Sequence, residues 1–269
     1  MDYNNIFVKN LPFSKETYEA DIQEFFGKSI GYFKALVLDK LGNRDIHAYM
    51  AEKLFELRKT EDINQDSLAK LYRDDIYLAY GIVNSQHDAS LPENGNGAFK
   101  NEYEFVEPAY LHIKNLKRTC CALDHGCGSG WQGLILWRLG YKVTFCDFDT
   151  DYFNFLQFCC KKYKIEDVNF ITISRDLDLK NNYYEFINSF FVLEHVLYPI
   201  KVLKELVAHL KTNSLFNLRT DFGGGGIHLL ENYILHENVS QNLFEMIVNS
   251  YGLKRISQYS RILYKVSFI

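Results

Sequence analysis

Leu123-Asp124-His125-Gly126-Cys127-Gly128-Ser129-Gly130 sets three glycines at alternate positions behind an apolar run and ahead of a helix-forming one. Such a turn leaves backbone N–H groups bare beside a helix N-terminus, so part of a nucleotide-like ligand can lie almost on the main chain. A helix, the strand Lys142-Val-Thr-Phe-Cys and then Asp147 follow, the acid standing 23 positions after Asp124. An acid at the end of that second strand is where a ribose diol would be bound. Two ligand classes meet this pattern, a dinucleotide and S-adenosylmethionine. The dinucleotide fingerprint Gly-x-Gly-x-x-Gly needs its third glycine where Trp131 stands. An indole there would block both the pyrophosphate and close helix–strand packing, which leaves S-adenosylmethionine as the better reading.

Methyl transfer from a sulfonium is an in-line displacement, and the cofactor carries the activated group. The protein has to align donor and acceptor, exclude water and, for some acceptors, take a proton. Histidine suits the last task near neutral pH. His195 follows the fourth strand in Leu-Glu-His-Val, and His228 follows the fifth in Asp221-Phe-Gly-Gly-Gly-Gly-Ile-His. The competing reading of His195 is a structural histidine bonded to backbone, and of His228 an exposed loop residue. Asp221 and Glu231 are weaker candidates for the same work.

The elements that must position these residues fall into two halves. Residues 1–100 read as helices: Ser14 as an N-cap with Phe13 and Tyr18 as a staple, a helix at Ile30–Leu41 ended by Gly42, and a third from Asp45 with Ile46, Met50, Leu54 and Leu57 on one face. A fourth from about Asp66 carries Leu68, Tyr72, Ile76, Tyr80 and Val83 at helical spacing. Gln86 to Gly97 reads as a polar hinge, and Tyr103 to Pro108 as a pocket wall. From Cys120 strands and helices alternate: Thr119–Leu123, Trp131–Leu139, a strand to Cys146, Thr150–Tyr163, Val168–Ile173, Phe186–Phe191, Pro199–Leu210, Leu215–Arg219, Gln241–Tyr251 and two closing strands. That alternation predicts an α/β fold, a doubly wound, mostly parallel sheet with ligands at the C-terminal strand ends.

Composition sets outer limits. The net charge of −4 removes the basic field a general nucleic-acid binder needs. No apolar stretch approaches the roughly 20 residues of a membrane span, and the N-terminus lacks the pattern of a secretion signal. All six cysteines lie in one 41-residue window, three of them in or beside expected buried strands, which reads as reduced thiols in a cytoplasmic protein and not as a disulfide framework or a metal site. A homodimer is compatible with the sequence.

Asp124-His-Gly-Cys-Gly-Ser-Gly130 resembles the first motif of class I S-adenosylmethionine-dependent methyltransferases, and Tyr184-Glu-Phe-Ile-Asn-Ser-Phe-Phe-Val-Leu-Glu-His-Val196 resembles the fourth strand and following segment of their small-molecule branch. The likeness is clear from Cys120 to about Phe216 and weaker to Ile269. Thr212-Asn213 departs from the usual Pro-Gly or Gly-Gly before strand five. The resemblance implies a seven-stranded sheet over residues 101–269 with the helices of 1–100 as a cap over the strand ends. It implies that Gly126, Cys127, Gly128 and Gly130 line the methionine part, with Asp124 near its amino group. Asp147 would accept from the ribose hydroxyls, Phe148 would pack on adenine, Asp176 and Leu177 would meet the adenine edge, and Asn188 to Phe191 would line the sulfonium side. The function so implied is methylation of an oxygen or nitrogen of a small-molecule acceptor, with S-adenosylhomocysteine as product. The alternatives are a protein or peptide methyltransferase and a non-catalytic S-adenosylmethionine-binding scaffold.

Overall fold

The computed structural model describes residues 15–60, 62–89, 105–173, 179, 183–222, 239–256 and 263–266. Its first half is helical: α1 (Lys15–Phe26), α2 (Ile30–Leu41), α3 (Ile46–Thr60), α4 (Gln65–Tyr72), α5 (Asp75–Ala89) and α6 (Val106–Leu116). The alternating half follows as β1 (Cys120–His125), α7 (Trp131–Arg138), β2 (Tyr141–Asp147), α8 (Asp151–Lys162), β3 (Val168–Thr172), β4 (Tyr184–Phe190), α9 (Pro199–Ala208), β5 (Leu210–Arg219), α10 (Gln241–Ser250), β6 (Leu253–Arg255) and β7 (Leu263–Val266).

The strands form a seven-stranded sheet in the order β3-β2-β1-β4-β5-β7-β6. The pairs from β3 to β5 are parallel, and β7 runs antiparallel to both β5 and β6. Strand order reverses at β1, which lies between β2 and β4, so the crevice of a doubly wound sheet opens above the glycine turn. One face buries Ala122, Val143, Phe145 and Phe186 under α6, α7 and α8. The other buries Leu123, Ile187, Phe216 and Leu218 under α9 and α10. The cysteine pair of α8 lies in the first core, and the six thiols are free.

Helices α1, α2 and α5 join that same first core through Tyr18, Ile22, Phe33, Ala79 and Ile82. Buried Asp21 of α1 accepts a 2.7 Å bond from Lys162 and bonds from the Tyr163 hydroxyl at the end of α8. The Tyr18 hydroxyl donates to the carbonyl of Ile82. The leading helices are therefore fixed to the sheet by apolar packing and by a buried charge whose partners are on the sheet half.

Three local expectations are corrected. The single helix expected from Asp66 through Val83 is two, because Arg73 closes α4 and the Asp74 carboxylate accepts the Ile76 N–H as a new N-cap. The expected hinge at Gln86 overlaps the end of α5, which runs on to Ala89; residues 90–104 lie outside the described residues. Of the segment expected as a pocket wall, residues 105–108 are instead the start of α6, with Phe105 and Val106 buried in the core, and 103–104 lie outside the described residues.

Candidate active site

Gly126, Gly128 and Gly130 all have positive φ, so the chain leaves β1 in a tight left-handed path that most side chains would resist. Gly130 caps α7 at φ +73, and a Cβ there would overlap the Leu156 side chain. A Cβ on Gly128 would meet nothing within 4 Å. The one glycine thus lets α7 approach α8, and the other leaves space above its backbone. The close helix–strand contact expected of a nucleotide fold comes from Gly133, where a Cβ would overlap the Phe145 ring and stand 2.7 Å from the Asp124 carboxylate. Sequence reading missed this residue because it lies two positions beyond the expected glycine.

Asp147 ends β2 and turns toward the glycine turn. Its Oδ2 accepts the Gly128 N–H at 2.6 Å and its Oδ1 the Phe148 N–H at 2.7 Å. Burial raises its pKa to about 6, against the lowering effect of those two bonds. Asp124 is 2 % exposed and looks into the α7 side of the sheet. Its Oδ2 accepts the Gly133 N–H at 2.9 Å and its Oδ1 the Asn188 amide at 2.6 Å. Burial lifts its pKa to about 7, with the Asn188 and Gly133 bonds acting against the shift.

The same row continues across the sheet. Asn188 also donates to Gln132 at 2.7 Å and accepts from Asn217 at 2.6 Å, following the register that places Asp124, Asn188 and Asn217 side by side. Two expectations change here. Asp124 and Asn188 do not line the cavity; they form a buried polar row that fixes the start of α7. The strand period explains this, since residues on one face of β1 and β4 point beneath the strand ends while the turn lies above them. Cys127 does not line the cavity either. Its thiol packs against the core, and burial holds it well above the usual thiol range. His125, on the opposite face, meets Ser189 at 3.1 Å, and burial pushes its pKa down to about 4.

Above the strand ends lies a cavity of about 520 Å³. Gly126, Gly128, Ser129, Asp147, Phe148 and Phe191 form its sheet side. Phe191 holds φ +55, a strained backbone for a bulky residue, with the Arg219 guanidinium 4.4 Å from its ring centre. The facing wall comes from the leading helices and from the short turn after β4: Ile46, His47, Tyr72, Tyr77 and His195. Tyr72 stacks on Phe148 at 5.7 Å and 23°, and stands edge-on to His195 at 6.5 Å and 87°. The His47 ring is nearly parallel to that of His195, 6.1 Å away and inclined by 18°. Phe148, Asp147 and Gly126 also border a smaller adjoining cavity with Ile173, Val196 and Lys201.

The structure thus brings Gly126, Gly128, Asp147, Phe148, Phe191 and His195 to one cavity. Gly130 shapes the turn from behind. His228, Asp176, Leu177 and Glu231 lie outside the described residues. Asp221, at the end of β5, is not among the residues lining either cavity. His47 and Tyr72 were not singled out from the sequence as site residues, because helical apolar spacing reads equally well as core.

Residues 123–218 match the profile of a methyltransferase domain. The chain carries a methyltransferase domain over that stretch. Among curated proteins no match was found. Similar solved structures include a provisionally assigned methyltransferase from Bacillus halodurans C-125, at 13% identity and TM-score 0.43, covering 55% of this chain and 68% of that one. Another is a provisionally assigned S-adenosyl-L-methionine-dependent methyltransferase from Methanococcus maripaludis, at 15% identity and TM-score 0.43, covering 65% of this chain and 95% of that one. A third is the bifunctional kinase-methyltransferase WbdD, at 15% identity and TM-score 0.48, covering 64% of this chain and 40% of WbdD.

Proposed function

We propose that the protein transfers the methyl group of S-adenosylmethionine to an oxygen or nitrogen of a small-molecule acceptor. What supports this most is the shared cavity, in which Asp147, Gly126 and Gly128 face His47, Tyr72 and His195. The chain's residues fit the cofactor. Open space stands over Gly128, and each Asp147 oxygen, having accepted one backbone bond, keeps a lone pair for a ribose hydroxyl.

When bound, the cofactor supplies an activated methyl on a sulfonium. The protein's part is placement and proton handling. Asp147 and the glycine turn hold the donor end, while Phe191 and Val192 close the sheet side beside it. His195 has its ring nearly parallel to that of His47 and nearly perpendicular to that of Tyr72, and it takes the acceptor's proton as the new bond forms. The leading helices act as a cap over the strand ends, displacing water from the reacting atoms. Free thiols in the core support a reducing compartment such as the cytoplasm.

Calorimetric titration with S-adenosylhomocysteine and with NAD is the first test, and only the former is expected to bind. Incubation with methyl-labelled S-adenosylmethionine and a metabolite extract should then yield a labelled small molecule. Label recovered only in a protein fraction would replace the small-molecule reading with a protein acceptor, and binding without any labelled product would leave a scaffold.

A further inference from the structure

The break between α4 and α5 sets Tyr72 and Arg73 against the three residues that follow the body of β2. Asp147 is held by the Gly128 N–H at 2.6 Å. Phe148 is held by the Tyr72 ring, stacked at 5.7 Å and 23°. The carbonyl of Asp149 accepts the Arg73 Nε–H at 2.7 Å. β2 ends at Asp147, so the sheet ladder does not itself fix Phe148 and Asp149. Within the sheet half the Ile173 N–H also bonds the Asp147 carbonyl at 2.8 Å and the Asn154 amide reaches the Asp149 carboxylate at 3.4 Å, whereas the Tyr72 and Arg73 contacts come from a helical segment far away in the chain.

We infer that Tyr72 and Arg73 are positioning residues for the cofactor: they hold the Asp147–Asp149 segment in its binding shape and so couple docking of α4 and α5 to cofactor affinity. The inference rests on Asp147 being the cofactor's acid, as proposed above. Arg73 is the only Lys or Arg among the described residues that line the large cavity, and it is exposed at the rim. Its planar guanidinium is oriented once Nε is engaged, so one bond to Asp149 sets the whole group. Tyr72 meets Phe148, Tyr77 and His195 through ring contacts, which Tyr72→Phe would keep. Coupling of this kind is reciprocal: a ligand that tightens on a held segment also stabilises the elements that hold it.

The test is calorimetry with S-adenosylhomocysteine on the full chain, beside hydrogen exchange of residues 65–89. Tyr72→Ala and Arg73→Met should each weaken binding roughly 5- to 20-fold, the effect expected of one lost contact of this strength. Tyr72→Phe should stay within about twofold of the parent, and Arg73→Lys should recover part of the loss, since each keeps the ring or one donor. S-Adenosylhomocysteine should slow exchange in residues 65–89 of the parent and do so less in Arg73→Met. If the parent does not bind S-adenosylhomocysteine, the cofactor assignment itself fails. If the parent binds and Asp147→Ala does not, yet Tyr72→Ala and Arg73→Met bind like the parent, the clamp is overturned. Should either variant not fold, the parent's exchange decides: no ligand-dependent slowing in residues 65–89 overturns the clamp.

Discussion

Asp147 accepts a 2.6 Å hydrogen bond from the backbone N–H of Gly128, so the acid ending β2 and the turn leaving β1 form a single unit. A carboxylate so placed has two competing demands on it. Burial raises its pKa to about 6, while hydroxyl recognition needs the ionised form. S-Adenosylhomocysteine affinity should therefore rise with pH between 5 and 7, by up to about tenfold per unit on the acid side. Asp147→Asn should bind at least tenfold more weakly at pH 7.5 and lose most of that pH dependence. Calorimetry at four pH values checks it; a flat parent profile over this range counts against Asp147 as the titrating acceptor.

Asp124 makes a stability prediction of the opposite kind. Its pKa in the fold is about 7 against 3.8 when free, so the native state holds a proton the unfolded chain has lost between those values. Its contribution to stability is then present at low pH and falls as pH rises from about 4 to 7, at a limiting slope of about 1.4 kcal/mol per unit. Asp147 acts in the same direction up to about 6, and His125, lowered to about 4, acts in the other up to 6.5. Asp124→Asn removes one of these three effects. Relative to the parent, its urea-unfolding free energy should improve steadily from pH 4.5 to 7, and a constant difference would mean Asp124 titrates normally.

Two glycines separate binding from folding. Gly133→Ala pushes a Cβ into Phe145 and the Asp124 carboxylate, so it should cost about 2 kcal/mol or more by overpacking and visibly lower the melting temperature. Gly128→Ala meets open space but sits at φ +51, so its cost to folding should be about 1 kcal/mol. The added methyl would stand where a ligand must approach, and S-adenosylhomocysteine binding should fall at least tenfold. Thermal unfolding and calorimetry on the same two variants would contradict this if the losses came out the other way round.

His195 and His47 share a wall, and the proposed function expects different tasks of them. Once the acceptor is found in the labelled extract, His195→Ala should slow single-turnover transfer about 100-fold, the lower range for a lost general base, with S-adenosylhomocysteine affinity unchanged. His47→Phe keeps a planar ring against His195 and should retain most of the rate; His47→Ala should not. Equal rates for His195→Ala and the parent would remove His195 as the base.

Much of the sheet half was readable because each cue is local and repeated. The glycine turn, the apolar strands and Asp147 have periods that survive without tertiary information, and Thr150 caps α8 as its residue type suggests. The leading helices were harder to read. Leu68, Tyr72, Ile76 and Tyr80 keep a spacing of four straight through the break, so periodicity alone joins α4 to α5; the Asp74–Asp75 pair was the cue that a new helix begins. Asp124 and Asn188 were placed in the site by the family resemblance alone. Which face of a strand a polar residue takes is settled by what covers that face, and here α7 covers it with Gly133 and Gln132. Gly133 itself looked like an ordinary helical residue until the distance to Phe145 was known.

The two walls of the cavity come from separate stretches of chain. The sheet side lies within residues 123–218, and much of the opposite side comes from residues 46 to 85. If the proposed function holds, acceptor selectivity can therefore be changed on the helical wall, except where Tyr72 and Arg73 reach across to the segment after β2. On the proposed function, exchange at 46 and 77 is the natural route to a changed acceptor, whereas position 72 is kept for its hold on Phe148 and position 47 for its contact with His195.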